Sequence, residues 1–329
     1  MPQVKRLAPF FFNGLFGGII AFGLALIVLT GLLSHTFYAG SVAQKTTTLV
    51  VAKGQGLSSV ATQLKDNNLV SSRHIFALAA VVVGAQGDLR AGEYTIAQGA
   101  SMAQILGKLR DGDTVARRLV IPEGLTVKQI IARLNDVKGL TGEVYDMPTE
   151  GSLLPETYHF SLGDSRQGIV DRMRQSMTDT LAALWPERQA GLPINTPQEA
   201  LILASIVERE TSVDRELSHI AGVFVHRLNR KMKLQSDPTI IYGLTGGEPL
   251  GRGLRRSEIR KKTPYNTYHI KGLPPTPICN PGLKTIAAVL DPLKTNDLFF
   301  VADGNGGHAF AETYAQHKKN VKAWRNRKR

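Results

Sequence analysis

From Phe10 to Leu33 the chain reads FFFNGLFGGIIAFGLALIVLTGLL, an almost unbroken apolar run. A helix rises about 1.5 Å per residue and about 20 apolar residues cross the hydrocarbon core, so the run is long enough to span a membrane. Asn13 is its only strongly polar interruption, and it sits near one end. Lys5 and Arg6 precede the run, and the positive-inside tendency then puts residues 1–9 in the cytoplasm and everything after about Ser34 on the outer side. The competing reading is a cleaved signal peptide, for which Ser41-Val42-Ala43 could serve as a small-x-small site. The length of the apolar run favours a retained anchor over 10–33, with a polar linker over 34–47.

Past the linker a local pattern recurs. Thr48-Leu-Val-Val-Ala-Lys-Gly54 alternates like a strand and ends at glycine, and Leu57–Leu64 follows with helical spacing. Gly92–Gly99 followed by Met102–Leu109 repeats the pattern, and so does Arg118–Gly124 followed by Val127–Leu134. Each unit is a strand, a glycine turn and a short amphipathic helix, too small to bury its own apolar face. The first two, with a helix from Ser72 to Val83 between them, make a β-α-α-β module over 48–113 whose pattern resembles LysM-type glycan-binding modules. The generic alternative is α+β packing without a ligand. The third unit leads into a larger domain over 114–329, and the fold class is α+β.

With 329 residues, 43% hydrophobic, the chain can bury a real core, and its net charge of +13 points to an anionic partner. The basic residues are spread out apart from 252–262 and 318–329. No basic-aromatic interleaving or recognition motif marks a nucleic-acid reader. Cys279 is the only cysteine, which excludes an internal disulfide and a thiolate metal site. His219, His226 and His269 have no metal-ligand spacing with nearby carboxylates, so no metal is expected.

The helix beginning at Thr196-Pro197-Gln198-Glu199 carries the strongest chemical signal. Threonine can cap it, proline suits the first turn, and Glu199 completes a capping box. Eight nearly apolar residues, Ala200 to Val207, lead to Glu208. Glu208 shares a face with Leu201, Ala204 and Ser205, whose small side chains leave room beside the carboxyl. Glu210 falls about 200° further round, on the side expected to be more exposed. A carboxyl set against an apolar wall has its charged form disfavoured, and so can hold a proton for a glycosidic oxygen. The plainer reading is an ion-paired or capping glutamate.

Loops downstream bear the groups a carbohydrate groove needs. They are Gln235-Ser-Asp-Pro-Thr-Ile-Ile-Tyr-Gly243, Thr263-Pro-Tyr-Asn-Thr-Tyr268, Gly272-Leu-Pro-Pro-Thr-Pro-Ile278, Asn280-Pro-Gly282, and an apolar strand at Asp297–Ala302 leading to His308-Ala-Phe310. Rings can lie on sugar faces, and short polar side chains can bond hydroxyls. With Glu-Gly-Ser-Leu-Leu-Pro-Glu-Thr-Tyr158 and Ala-Ser-Ile-Val-Glu-Arg-Glu-Thr211, the ordered set resembles the endolytic murein transglycosylase family, the YceG-like domain.

That resemblance covers nearly the whole chain and implies an enzyme of the lytic transglycosylase kind. It implies cleavage of the β-1,4 bond between N-acetylmuramic acid and N-acetylglucosamine, leaving 1,6-anhydro ends, with a role in ending nascent strands beside peptidoglycan synthases. It puts the catalytic glutamate at Glu208. Candidate helpers are Glu156, Tyr158, Gln235, Asp237, Thr239, Tyr242, Tyr265, Asn266, Tyr268 and His308, each of which could equally be scaffold. Glu156 departs from the family, which more often shows Asp there, and the extra methylene moves its carboxylate. The implied partners are glycan strands and the cytoplasmic membrane, with the catalytic domain in the periplasm and no cofactor. Two rival readings stay open. One is a peptidoglycan-binding scaffold without catalysis. The other is a pyridoxal-phosphate lyase of the aminodeoxychorismate type, for which no glycine-rich phosphate loop is present.

Overall fold

The computed structural model describes residues 9–40 and 42–327, with side chains from Gly18 onward. Residues 1–8, with Lys5 and Arg6, Ser41 of the candidate cleavage signal, and 328–329 lie outside the described residues.

Helix α1 runs from Pro9 to Tyr38, a length of about 45 Å. Its stretch Gly18–Tyr38 has mean hydropathy 2.1 and is the one helix among the described residues long and apolar enough to cross a membrane. Phe22, Ile27 and Leu32 all stand outward, so the helix is apolar on every side rather than along one stripe. Thr30 and Thr36 turn their hydroxyls back onto the carbonyls of Leu26 and Leu32, which keeps those polar groups satisfied without water.

Contacts divide the chain into two compact units, residues 1–117 with 161–163, and residues 118–160 with 164–329. The first unit holds β1 (Thr47–Val51), α2 (Leu57–Asp66), α3 (Arg73–Val82), β2 (Gly92–Ile96) and α4 (Met102–Asp111). Strands β1 and β2 pair antiparallel from Thr47↔Ile96 to Val51↔Gly92. Leu49, Val51, Tyr94 and Ile96 alternate inward against Leu64, Phe76 and Leu109, and Phe37 of α1 joins this core. The β-α-α-β order is therefore the observed one.

The second unit opens within β3 (Arg117–Val120), from Arg118, and continues to α5 (Val127–Asp136). Then come β4 (Thr157–Phe160), α6 (Arg166–Leu184), α7 (Pro197–Glu210), α8 (Leu217–Asn229), α9 (Asp237–Thr245), α10 (Arg256–Arg260) and α11 (Leu283–Leu290). The hairpin of β5 (Phe299–Ala302) and β6 (His308–Ala311) and the terminal helix α12 (Tyr314–Arg327) complete it. Strands β3 and β4 pair, and their inward residues Leu119, Tyr158 and Phe160 pack on Ile130, Ile169 and Met173 of α5 and α6. A second cluster centres on α7, whose residues Ala200 to Val207 are all buried, against Ile220 and Phe224 of α8 and Ile286 and Val289 of α11. Thr196 caps α7 by accepting from the Glu199 amide. The expected reciprocal bond goes one residue further back, with the Glu199 carboxylate accepting from Asn195 N at 2.5 Å.

The three strand-turn-helix units keep one register. Gly54, Gly99 and Gly124 hold the turn at φ of 82°, 73° and 76°, where a side chain would be strained. Gly56, Ser101 and Thr126 follow at the N-caps of α2, α4 and α5. Ser101 and Thr126 form capping boxes with Gln104 and Gln129, which Gly56 cannot do.

Candidate active site

Glu208 stands on the last turn of α7, half-buried, where the continuous burial of that helix ends. Its Oε2 accepts from Thr285 Oγ1 at 2.6 Å and from the Gly282 amide at 3.0 Å. Gly282 is the N-cap of α11 and has no side chain to cap it, so the carboxylate of Glu208 does that work from another helix. Oε1 accepts no hydrogen bond among the described residues. The room expected beside the carboxyl is filled by backbone. Ser205 accepts from the Ile278 amide at 2.9 Å and Cys279 Sγ donates to the Ser205 carbonyl, so the small residue admits the 278–280 loop. The surroundings of Glu208 are thus polar on one side, not the apolar niche the sequence suggested.

Three chain segments meet there. The Gly124 amide donates to the Asn280 carbonyl at 3.0 Å, and the Asn280 amide donates to the Leu125 carbonyl at 2.9 Å. Fully buried Asn280 also accepts from the Leu153 amide and donates to Leu125 O and to Glu150 Oε1. Arg209 is not paired with Glu208; it donates to the Gly124 carbonyl at 3.3 Å. Glu123, one residue before Gly124, lies across Gly282, and a Cβ on Gly282 would overlap its carboxyl group. Glu123 is exposed, and partial desolvation of its carboxyl first, then the charges of Glu208 and Asp214, raise its pKa, while Lys284 opposes them. Lys284 itself pairs with Asp214.

Glu210 reverses the wheel-based expectation. It is half-buried like Glu208 rather than more exposed, and desolvation pushes its pKa up to about 7 even though Ser236 Oγ donates to it at 2.5 Å. A helical wheel places a residue on one helix but does not show that the Gln235–Asp237 segment closes over that side.

The expected helpers fall into separate groups. Tyr268 donates to Asp237 at 2.8 Å, near Glu210, and burial raises the tyrosine's pKa. Thr239 is fully buried, bonded to Thr267 and the Ser236 carbonyl, and Gln235 turns the chain at φ 51°. Asn266 donates to the Ile259 and Lys261 carbonyls and so closes the end of α10. Tyr242 and Tyr265 pack at 5.1 Å, with Tyr242 donating to Glu150 Oε2 at 3.3 Å and Tyr265 bonded to Thr276. Tyr242, Gly124, Thr126, Arg209 and Ile278 line a cleft of about 180 Å³. His308 is held by Glu216 through Nδ1 at 2.7 Å and through its own amide. Tyr158 is buried in β4 and donates to the Leu154 carbonyl, with its pKa pushed up to about 12 by burial. Glu156 is exposed, and only its backbone carbonyl is used, by Ile121. None of these ten side chains bonds to Glu208.

Glu123, Glu150, Asn280 and Thr285 were missed as site residues. Glu123 carried a faint signal: it departs from Lys53 and Gln98 at the same place in the other two units. No group of three or more His, Cys, Asp or Glu among the described residues is arranged to hold a metal ion.

Glu208 is thus a half-buried carboxyl anchored through one oxygen, next in the chain to Arg209, which lines the cleft with Gly124 and Tyr242. The chain belongs to the YceG-like family, whose model matches residues 49–323. It is 30% identical to the endolytic murein transglycosylase of Bacillus subtilis over 83% of each chain. It is 28% identical to the protein of that name from Streptococcus pneumoniae, covering 92% of this chain and 64% of the relative. A solved yceG-like protein from Listeria monocytogenes covers 84% of this chain and 99% of its own, at 29% identity and a TM-score of 0.51.

Proposed function

We propose that this chain is an endolytic lytic transglycosylase that cuts peptidoglycan glycan strands between N-acetylmuramic acid and N-acetylglucosamine. The observation that carries the reading is half-buried Glu208, fixed through Oε2 to Gly282 and Thr285 with no hydrogen bond to Oε1 among the described residues, in a family whose relatives bear that name. Protonated Glu208 gives its proton to the glycosidic oxygen as the C1–O bond breaks and its electron pair goes to that oxygen. The muramyl C6 hydroxyl then attacks C1 and returns its proton to Glu208, closing the 1,6-anhydro ring without water. The sugar's own hydroxyl replaces the second nucleophilic group of an ordinary glycosidase, and its attachment to the same ring keeps it close.

Helix α1 supports anchorage in a membrane, which this reading takes to be the cytoplasmic one with the catalytic domain, 114–329, on the periplasmic side. The β1-α2-α3-β2 module is assigned the holding of glycan, and the whole chain a place beside the synthases, ending nascent strands. Full-length protein in detergent, wild type against Glu208→Gln, is incubated with purified sacculi, and the muropeptide ends are read by mass spectrometry. Anhydro ends should form with the wild type and be lost in the variant while sacculus binding persists. A wild type that binds sacculi and forms no anhydro ends would make the chain a scaffold instead.

A further inference from the structure

The Glu208 mechanism leaves one charge without a partner. As the C1–O bond breaks, positive charge develops on the muramyl ring, and a site with a single carboxyl engaged in proton transfer has nothing fixed to meet it.

The structure supplies a second carboxyl group. Glu123 sits at the turn of the third strand-turn-helix unit, where the first two units carry Lys53 and Gln98. Gly124 holds that turn at φ 76° and is tied to Asn280, two residues before Gly282. The Glu123 side chain then lies over the Cα of Gly282, where any Cβ would overlap it, while the amide of the same Gly282 donates to Glu208. The two carboxyl groups therefore flank one residue. Gly282 has φ −77° and ψ 164°, open to any residue, so a Cβ here would meet no backbone strain and would instead push the Glu123 side chain aside.

We propose that Glu123, exposed beside Gly282, is a second catalytic residue of the reaction proposed above, its carboxylate facing the positive charge that develops on the sugar. It forms no bond and moves no proton. Glu208 carries out both transfers, and Glu123 stays ionised throughout. The groups around it are Glu208 on α7, Asp214 just after it, Lys284 on α11, and Arg209, whose guanidinium holds the Gly124 carbonyl. Partial desolvation and the two acidic neighbours make its ionisation harder. Its loss of charge on acidification should therefore contribute to the acid limb of the rate profile, displaced upward from that of an ordinary glutamate.

The test uses full-length protein in detergent and purified sacculi, measuring turnover to anhydro ends, sacculus binding by co-sedimentation, and the pH profile. Glu123→Gln should lose about 10- to 100-fold in turnover with binding within about twofold, and its acid limb should move to lower pH. Glu123→Asp should recover part of the rate. Gly282→Ala keeps the amide that bonds Glu208 but displaces the Glu123 carboxyl, and should lose turnover in the same direction. The inference is overturned if folded Glu123→Gln turns over at the wild-type rate, or loses rate only through weaker binding. Should Glu123→Gln fail to fold, folded Gly282→Ala at wild-type turnover overturns it equally. Wild-type protein that makes no anhydro ends would sink the underlying function first; an active wild type with an unaffected Glu123→Gln sinks this inference alone.

Discussion

Thr285 donates a 2.6 Å hydrogen bond to the same oxygen of Glu208 that the Gly282 amide holds. Both donors sit at the start of α11, so the Glu208 carboxyl is positioned by a helix other than its own. Thr285 is buried, and valine would match its shape while removing the donor. A hydrogen bond to an ionisable carboxyl is worth about 1.5–3 kcal/mol. Thr285→Val should therefore lower turnover to anhydro ends about 10- to 100-fold while sacculus binding and the melting temperature change little. Unchanged turnover would show that the Gly282 amide alone suffices.

Glu210 makes a stability prediction with a definite sign. Burial lifts its pKa from 4.5 to about 7, so the folded state holds a proton that the unfolded chain has lost. A raised carboxyl pKa gives stability that is complete below about pH 4.5 and declines as pH rises towards 7. The decline is on the order of 3 kcal/mol. Glu210→Gln keeps an acceptor for Ser236 and removes the titration. Thermal unfolding should show the variant more stable than wild type at pH 8, with the difference shrinking towards pH 5. A constant difference across that range would mean Glu210 is already ionised in the folded protein.

What the sequence conveyed and what it withheld divide along contact range. The three strand-turn-helix units and α7 follow from short-range periodicity and turn chemistry, and Gly54, Gly99 and Gly124 mark their turns directly. The position of Glu208 at the end of a buried helix is equally local. The site around it is not, because Gly124, Leu153 and Asn280 are joined by bonds across more than a hundred residues. Glu123 could be named only once that clamp was seen. Glu210 was misjudged for the same reason, since its cover comes from Ser236 on a distant loop. Tyr158, Thr239 and Asn266 lie in motifs that suggest a sugar groove, but their hydrogen bonds are spent on the scaffold.

Ser205 tests how tightly α7 is coupled to the site loop. Its hydroxyl donates to the Ile202 carbonyl and accepts from the Ile278 amide, and the residue is fully buried. Ser205→Ala orphans a buried amide at a cost of about 1–3 kcal/mol. The expected result is a lower melting temperature together with lost turnover, since Ile278 leads directly to Asn280 and Gly282. A stability loss without any change in turnover would show that the loop is held by Asn280 alone.

Asn280 is the stronger clamp, and changing one atom of it gives a pH-dependent outcome. Its Nδ2 donates to Leu125 O and to Glu150 Oε1, while its Oδ1 accepts from the Leu153 amide at 2.9 Å. Burial raises the pKa of Glu150, and the donors at Val127, Tyr242 and Asn280 work against that rise. In Asn280→Asp the acceptor side is kept, but one of those donors is replaced by an oxygen facing a second carboxyl. At high pH two buried carboxylates would face each other with a hydrogen bond missing. At low pH one of them takes up a proton and can donate again. Both groups would then have folded pKa values above their unfolded ones, so the penalty grows as pH rises through the interval between. The variant should be about 2–4 kcal/mol less stable than wild type at pH 8, and the gap should narrow by more than half at pH 5. Chemical denaturation at the two pH values measures it. Equal losses at both would show that Glu150 and residue 280 are not electrostatically coupled, and that Asn280 matters only through its bonds to Leu125 and Leu153.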